Sequence, residues 1–224
     1  MGVAPYGDYT TQQKVADMYN LGWPGVASHD GLGTRSAPYT EDLGTAYQVA
    51  VAMAYAKLSM WWLSFWTISG PTGGDSWYNA GYKAGTYVAN VFKQLVKVPN
   101  YVILDAEGYN GAPSSAQQWR DFTNGWAAGL ATYDVLKNRV AFYCNQWEYQ
   151  TYSLSSLSLP AFVAISPILN NEPFVSGSNI KGFCAYYAEC PLKPYVDKIE
   201  SWGKPYNTVQ MSNRGLPTCG PRST

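Results

Sequence analysis

Asp105 and Glu107 follow an apolar run, Tyr101–Leu104, inside the stretch NYVILDAEGYNG. Two residues apart on an extended chain, their side chains point to the same face. Carboxylates held that close cannot both ionise freely, so one keeps a proton towards neutral pH while the other stays anionic. Such a pair can protonate a glycosidic oxygen and stabilise the positive charge that develops on the sugar ring. The competing assignment gives Glu107 only a helix cap or an ion pair with Arg120.

Other chemistries find little support. His29 is the only histidine, and no Cys/His cluster accompanies it, so no metal site is expected. The four cysteines, Cys144, Cys184, Cys190 and Cys219, lack CxxC spacing; Cys184 and Cys190 are close enough to close a small disulfide loop, and four buried thiols fit as well. GxSxG is absent, and PTGGDS lacks the lysine and helix of a phosphate-binding loop, so no cofactor is expected. Zero formal charge with only 13% charged residues argues against nucleic acid. The apolar runs near Val49–Ala56 and Met60–Trp66 are too short to insert in a membrane, and no signal peptide is visible after Met1. Aromatic residues reach 16%, with 9 Trp and 19 Tyr. These either fill a core or offer flat platforms with a polar edge for sugar rings. Trp62, Trp66, Tyr109 and Trp147 are the candidates, and Trp147 is preferred because it follows a strand directly.

A chain of 224 residues can bury one sizeable core, so a single domain over residues 1–224 is expected. Strand-like runs alternate with helical periods. Strands are expected at Gly2–Pro5, Pro24–Ser28, within Ser59–Ile68, and at Tyr101–Leu104, Arg139–Cys144, Ala161–Ile165, Ile180–Tyr186 and Asn207–Met211. Helices are expected over Thr11–Leu21 and after Thr40, the latter with Leu43, Tyr47, Ala50 and Ala54 inward. A third covers Tyr78–Lys97, with Ala84, Val88, Val91 and Leu95 inward. A fourth starts at a Ser115/Gln118 capping box, with Trp119, Phe122, Trp126 and Leu130 along one side, and a short one runs from Pro194 to Trp202. Eight strands mostly separated by helices predict an α/β fold, a (β/α)8 TIM-type barrel with a weak or missing helix between strands six and seven; a doubly wound open sheet is the alternative. In such a barrel the site lies at the carboxyl ends of the strands. There the sequence offers Asp105 and Glu107, Tyr143 and Asn145, Gln210, His29 and Asp30, and Ser166.

These residues carry a family resemblance. YVILDAEGY resembles the strand-four signature of glycoside hydrolase family 25 lysozymes, and of the related glycoside-hydrolase-like domains common in actinobacteria and their phages, where an apolar strand ends in Asp-x-Glu. NRVAFYCNQWEY, LPAFVAISPI and YNTVQMS are similar to their fifth, sixth and last strands, and MGVAPY to their first. The resemblance implies a barrel that cleaves peptidoglycan-type polysaccharide between N-acetylmuramic acid and N-acetylglucosamine, outside the cell, at the cell wall or in a phage virion. Glu107 would be the general acid and Asp105 its partner, positioning the acetamido group. Tyr143, Asn145 and Gln210 would line the subsite. The chain departs from the pattern in two places. Ala4 and Pro5 stand where the family carries Asp, and the tail GLPTCGPRST contains none. Asp8 or Asp30, reaching in from a loop, would restore a charge. Without one, the chain reads as a non-catalytic glycan binder or a virion structural protein with assembly partners.

Overall fold

The computed structural model describes residues 2–7, 12–20, 25–32, 43–55, 60–68, 70–106, 111–164, 175–186 and 207–211. The strands are β1 (Gly2–Gly7), β2 (Gly25–Leu32), β3 (Trp61–Thr67), β4 (Tyr101–Asp105), β5 (Val140–Asn145), β6 (Ala161–Ala164), β7 (Ile180–Tyr186) and β8 (Asn207–Met211). Helices α1 (Gln12–Asn20), α2 (Leu43–Tyr55), α3 (Trp77–Phe92), α4 (Ala116–Leu130) and α5 (Gln146–Thr151) follow β1 to β5 in turn.

Six parallel strands, β2 to β7, form a curled half-barrel wall. β1 extends it in parallel on β2, and β8 joins the two edges, antiparallel to both β7 and β1. The α/β class and the parallel wall agree with the sequence. The regular (β/α)8 pattern does not carry through, because the eighth strand is reversed. A strand in that direction needs no crossover helix from β7. The expected helix at Pro194–Trp202, and the stretch 165–174 between β6 and β7, lie outside the described residues.

The wall is buried on both sides. Trp62 to Ile68 and Val102 to Ala106 are buried without interruption, as expected of parallel strands with helices outside and packed side chains inside. Outside it, α4 contributes Trp119, Phe122, Trp126 and Leu130, the stripe read from the sequence. Its cap is half of the expected box: Ser115 Oγ accepts from the Gln118 N–H at 3.2 Å, but Gln118 Oε1 reaches back to the Ser114 N–H at 2.6 Å. α3 buries Ala84, Val88 and Val91 and ends at Phe92, so Leu95 falls beyond it. On α2 the inward stripe is Ala46, Val49, Ala50 and Met53; Tyr47, expected inward, is 54% exposed. The corrected stripe follows i, i+3, i+4, i+7 from Ala46.

α3 and α4 touch through backbone. Gly81 and Gly85 on α3 face Gly125 and Gly129 on α4, each pair at the four-residue spacing that lines up one side of a helix. A Cβ on Gly85 would stand 2.4 Å from the Trp126 carbonyl oxygen, and one on Gly129 2.3 Å from that of Tyr82. Alanine favours a helix over glycine by about 1 kcal/mol, yet Gly129→Ala should lose about 1–3 kcal/mol from overpacking. Urea denaturation measures this; an unchanged or raised midpoint would mean that the helices are not locked at this distance.

Candidate active site at the carboxyl ends of the strands

Alternation along each strand decides which side chains see the interior. On β3, Trp62 and Trp66 meet Phe92 of α3 edge-on, at centroid distances of 5.8 and 5.9 Å, so they face the helices. Phe65 meets Tyr143 at 5.7 Å and Phe162 at 6.3 Å and faces inward. In-register pairing carries this side to Ile103 and Asp105 on β4, Ala141, Tyr143 and Asn145 on β5, and Phe162 and Ala164 on β6. Apolar rings fill the lower interior. Thr67, Asp105 and Tyr143 lie in one register row above them, with Asn145 and Ala164 beyond.

Asp105 ends β4 on that inner side and is 6% exposed. Its Oδ2 accepts from Thr67 Oγ1 at 3.3 Å, and its carbonyl accepts the Ile68 N–H at 3.2 Å, tying the ends of β3 and β4 together. β5 turns into α5 with no intervening loop. Asn145 is both the last strand residue and the helix cap: its Oδ1 accepts the Glu148 N–H at 2.8 Å, while Glu148 Oε2 accepts the Asn145 N–H at 3.2 Å. This reciprocal box fixes a carboxylate that the strand-end reading missed. Glu148 is 7% exposed. Burial pushes its carboxyl above the usual range, the hydrogen bond from Asn145 opposes this, and the charge of Asp105 adds to the rise. The sequence signal was present: Asn145-Gln146-Trp147-Glu148 is a cap followed three residues later by Glu.

The structure separates the other expected site residues. Asp30 lies within β2, which is longer than expected, and not in a loop. Its Oδ2 accepts from Ser28 Oγ at 2.6 Å and from Ser64 Oγ, on the helix-facing side. Each serine in turn accepts an indole proton, from Trp62 Nε1 at 2.8 Å and Trp66 Nε1 at 2.7 Å. Asp30 is thus removed from the interior mouth. Trp66 is 2% exposed, and Trp62 is equally covered, so neither can stack on a sugar; Phe92 and the serines occupy the surfaces a ligand would need. Trp147, in the first turn of α5, is 63% exposed and edge-on to Tyr152 at 5.8 Å. The backbone of Gln210 pairs with Gly2 and Phe183, and that of His29 with Phe65; their side chains lie outside the described residues. Glu107, Tyr109, Asp8 and Ser166 also lie outside them. Among the described residues no cluster of three His, Cys, Asp or Glu side chains could hold a metal ion.

The loops leaving β3 and β4 meet at the same end. Gly70 and Gly111 approach so closely that a Cβ on Gly70 would stand 1.9 Å from the Gly111 carbonyl oxygen, and Gly111 has φ +96°. Both positions require glycine.

No family model matches the chain, and no curated protein matches it. Solved structures do. The catalytic domain of endolysin ply40 from bacteriophage P40 of Listeria monocytogenes superposes with a TM-score of 0.59 at 18% identity, covering 95% of this chain and 94% of that one. The spore cortex lytic enzyme SleM of Clostridium perfringens gives 0.66 at 10% identity, over 95% and 68%. The bacterial lysozyme from Streptomyces coelicolor gives 0.53 at 12% identity, over 95% and 93%. At these identities the likeness establishes the fold.

The buried Glu148 predicts a pH dependence of stability. A carboxyl raised in the folded state contributes fully below its unfolded value, near 4.5, and that contribution is lost as pH rises through the folded value. The parent should therefore lose stability on going upward from that point. Glu148→Gln keeps the capping box and should lack that loss. Urea midpoints of both proteins between about pH 4 and pH 8 test this; parallel curves would mean that Glu148 titrates as an ordinary carboxyl.

Proposed function

We propose that the chain is a single-domain glycoside hydrolase of degenerate (β/α)8 architecture that cleaves bacterial cell-wall N-acetylated glycan. The observation that carries this reading is Asp105, a carboxylate on the inner side of the wall at the carboxyl end of β4, level with Thr67 and Tyr143. Glu107, two residues on, is the general acid. Asp105 is its anionic partner, orienting the acetamido group and countering charge on the sugar. Tyr143, Asn145, Gln210 and Tyr109 line the subsite. Asn145 offers its amide nitrogen, since its Oδ1 caps α5. Trp147 is the stacking platform on the rim. The chemistry needs no cofactor.

Support comes from the phage endolysin domain, the spore cortex lytic enzyme and the bacterial lysozyme with which the chain shares its fold. A place of action outside the cell, at the cell wall or in a phage particle, goes with this reading. Among the described residues no helix is long and apolar enough to cross a membrane. A second reading, a glycan binder or virion component without turnover, draws on Asp30, whose carboxylate is committed beneath the helices.

Two measurements test the assignment. Glu107→Gln should lower release of reducing ends from purified peptidoglycan by about two orders of magnitude or more, the usual contribution of a general acid, without loss of fold. Equal release would remove Glu107 from the mechanism, and a folded parent that releases nothing would favour the binder. Trp147→Ala should weaken binding of muropeptide or chitooligosaccharide several-fold, read as reduced quenching of tryptophan fluorescence; identical titrations would dismiss the platform.

A further inference from the structure

We propose that Glu148 supplies a second negative charge to the mouth and acts, through space and through Asp105, as a positioning residue for the cationic sugar. The inference rests on the glycan-hydrolase reading above. An oxocarbenium-like transition state is stabilised by fixed negative charge aimed at the ring. Asp30 does not provide it, because its carboxylate lies on the helix-facing side of β2.

Glu148 meets the requirement by construction. The direct β5–α5 junction places it one helical turn beyond Asn145, whose strand position faces inward beside Ala164. Both halves of the capping box hold its backbone and its carboxylate, so the charge is fixed with little rotamer freedom. Glu148 Oε2 takes the Asn145 N–H, and Asn145 stands two residues beyond Tyr143, the register partner of Asp105, on the inner side of β5. Burial raises the Glu148 carboxyl, and the charge of Asp105 adds to the rise. The charged group that acts on Glu148 is Asp105 from β4, whose register partner on β5 is Tyr143. The 3₁₀ turn Leu154–Ser156 and β6, both packed on α5, bring no ionisable side chain. Cys144 points the other way, towards Tyr149.

In a cap alone, charge acts on stability through the helix dipole and not on turnover. Gln serves a capping box as well as Glu does, whereas Asp is a methylene short. The two roles therefore predict opposite orders among variants. As the second charge, Glu148→Gln should lose about tenfold or more in kcat/KM, a typical effect for one electrostatic contact in a transition state. Its acid limb, which in the parent follows the ionisation of Glu148, should flatten. Glu148→Asp should retain that limb and more of the activity than Gln. As a cap only, Gln should match the parent in rate and pH profile while Asp is the weaker variant.

The experiment is reducing-end release from peptidoglycan by the parent, Glu148→Gln and Glu148→Asp across pH, with carboxyl carbon NMR titration of the parent and of Asp105→Asn. In the NMR arm the Glu148 midpoint should fall when Asp105 loses its charge. An active parent with the order Asp above Gln, and a displaced acid limb, supports the inference. An active parent with Gln equal to it, or an unmoved Glu148 midpoint in Asp105→Asn, overturns the inference and leaves the hydrolase reading intact. A folded parent without turnover removes the hydrolase reading, and this inference falls with it. Should Glu148→Gln fail to fold, the Asp105→Asn titration and the Glu148→Asp profile decide alone.

Discussion

The fold and its mouth depend on one constraint: strands buried on both sides still alternate, so a shift of one residue moves a polar group between two unrelated environments. On β3 the sequence WWLSFWT sends Trp62, Ser64 and Trp66 under the helices, and Leu63, Phe65 and Thr67 into the interior. Pairing then transmits that choice to every neighbour. Asp30, in register with Trp66, is an outer residue; Asp105, in register with Thr67, is an inner one. Both are acids near the end of an apolar strand. Only the parity of their positions separates a buried strut from a candidate reactive group.

The outer acid is accommodated by direction of hydrogen bonding. An ionised carboxylate accepts only, and a hydroxyl that receives an indole proton must send its own elsewhere. Trp62 donates to Ser28 and Trp66 to Ser64, so both serine protons converge on Asp30 Oδ2. Both hydroxyl protons are thereby aimed at one oxygen of the carboxylate. The same residues explain why so much Trp on a strand need not signify sugar binding. An indole buried beneath a helix with its N–H in use is already fully occupied.

Much of this was legible in the sequence. Unbroken apolar character at Tyr101–Leu104 identified a doubly buried parallel strand, and the stripe Trp119, Phe122, Trp126, Leu130 fixed the inner side of α4. What the sequence withheld follows from the same features. With both faces apolar, period two is invisible, so the inward or outward sense of Asp30 and Trp66 had no local signature. The length of β2 was misjudged because Ser28, His29 and Asp30 look like the polar end of a strand, although two of them are buried within it. The reversed β8 reflects a closure of the ring that no short pattern encodes. Glu148 was overlooked for another reason: attention to strand ends stops at Asn145, and the cap pattern beginning there belongs to a helix only six residues long.

The junction at Asn145 bears on how such a mouth holds its geometry. A loop between strand and helix would leave a carboxylate there free to swing, and side-chain entropy would dilute its effect on any neighbour. With no loop, the last strand residue is also the cap, and the helix begins at the level where the interior rings end. On the adjoining side, Gly70 and Gly111 bring the loops after β3 and β4 into backbone contact, while Thr67 and Ile68 tie those strands at Asp105. Asp105 is therefore held from β3 on one side, and Glu148 from β5 on the other. Two like charges kept near one another by separate rigid elements cannot relax apart. Burial is the main cause of the raised proton affinity at Glu148; the charge of Asp105 adds to it, and the hydrogen bond from Asn145 opposes it.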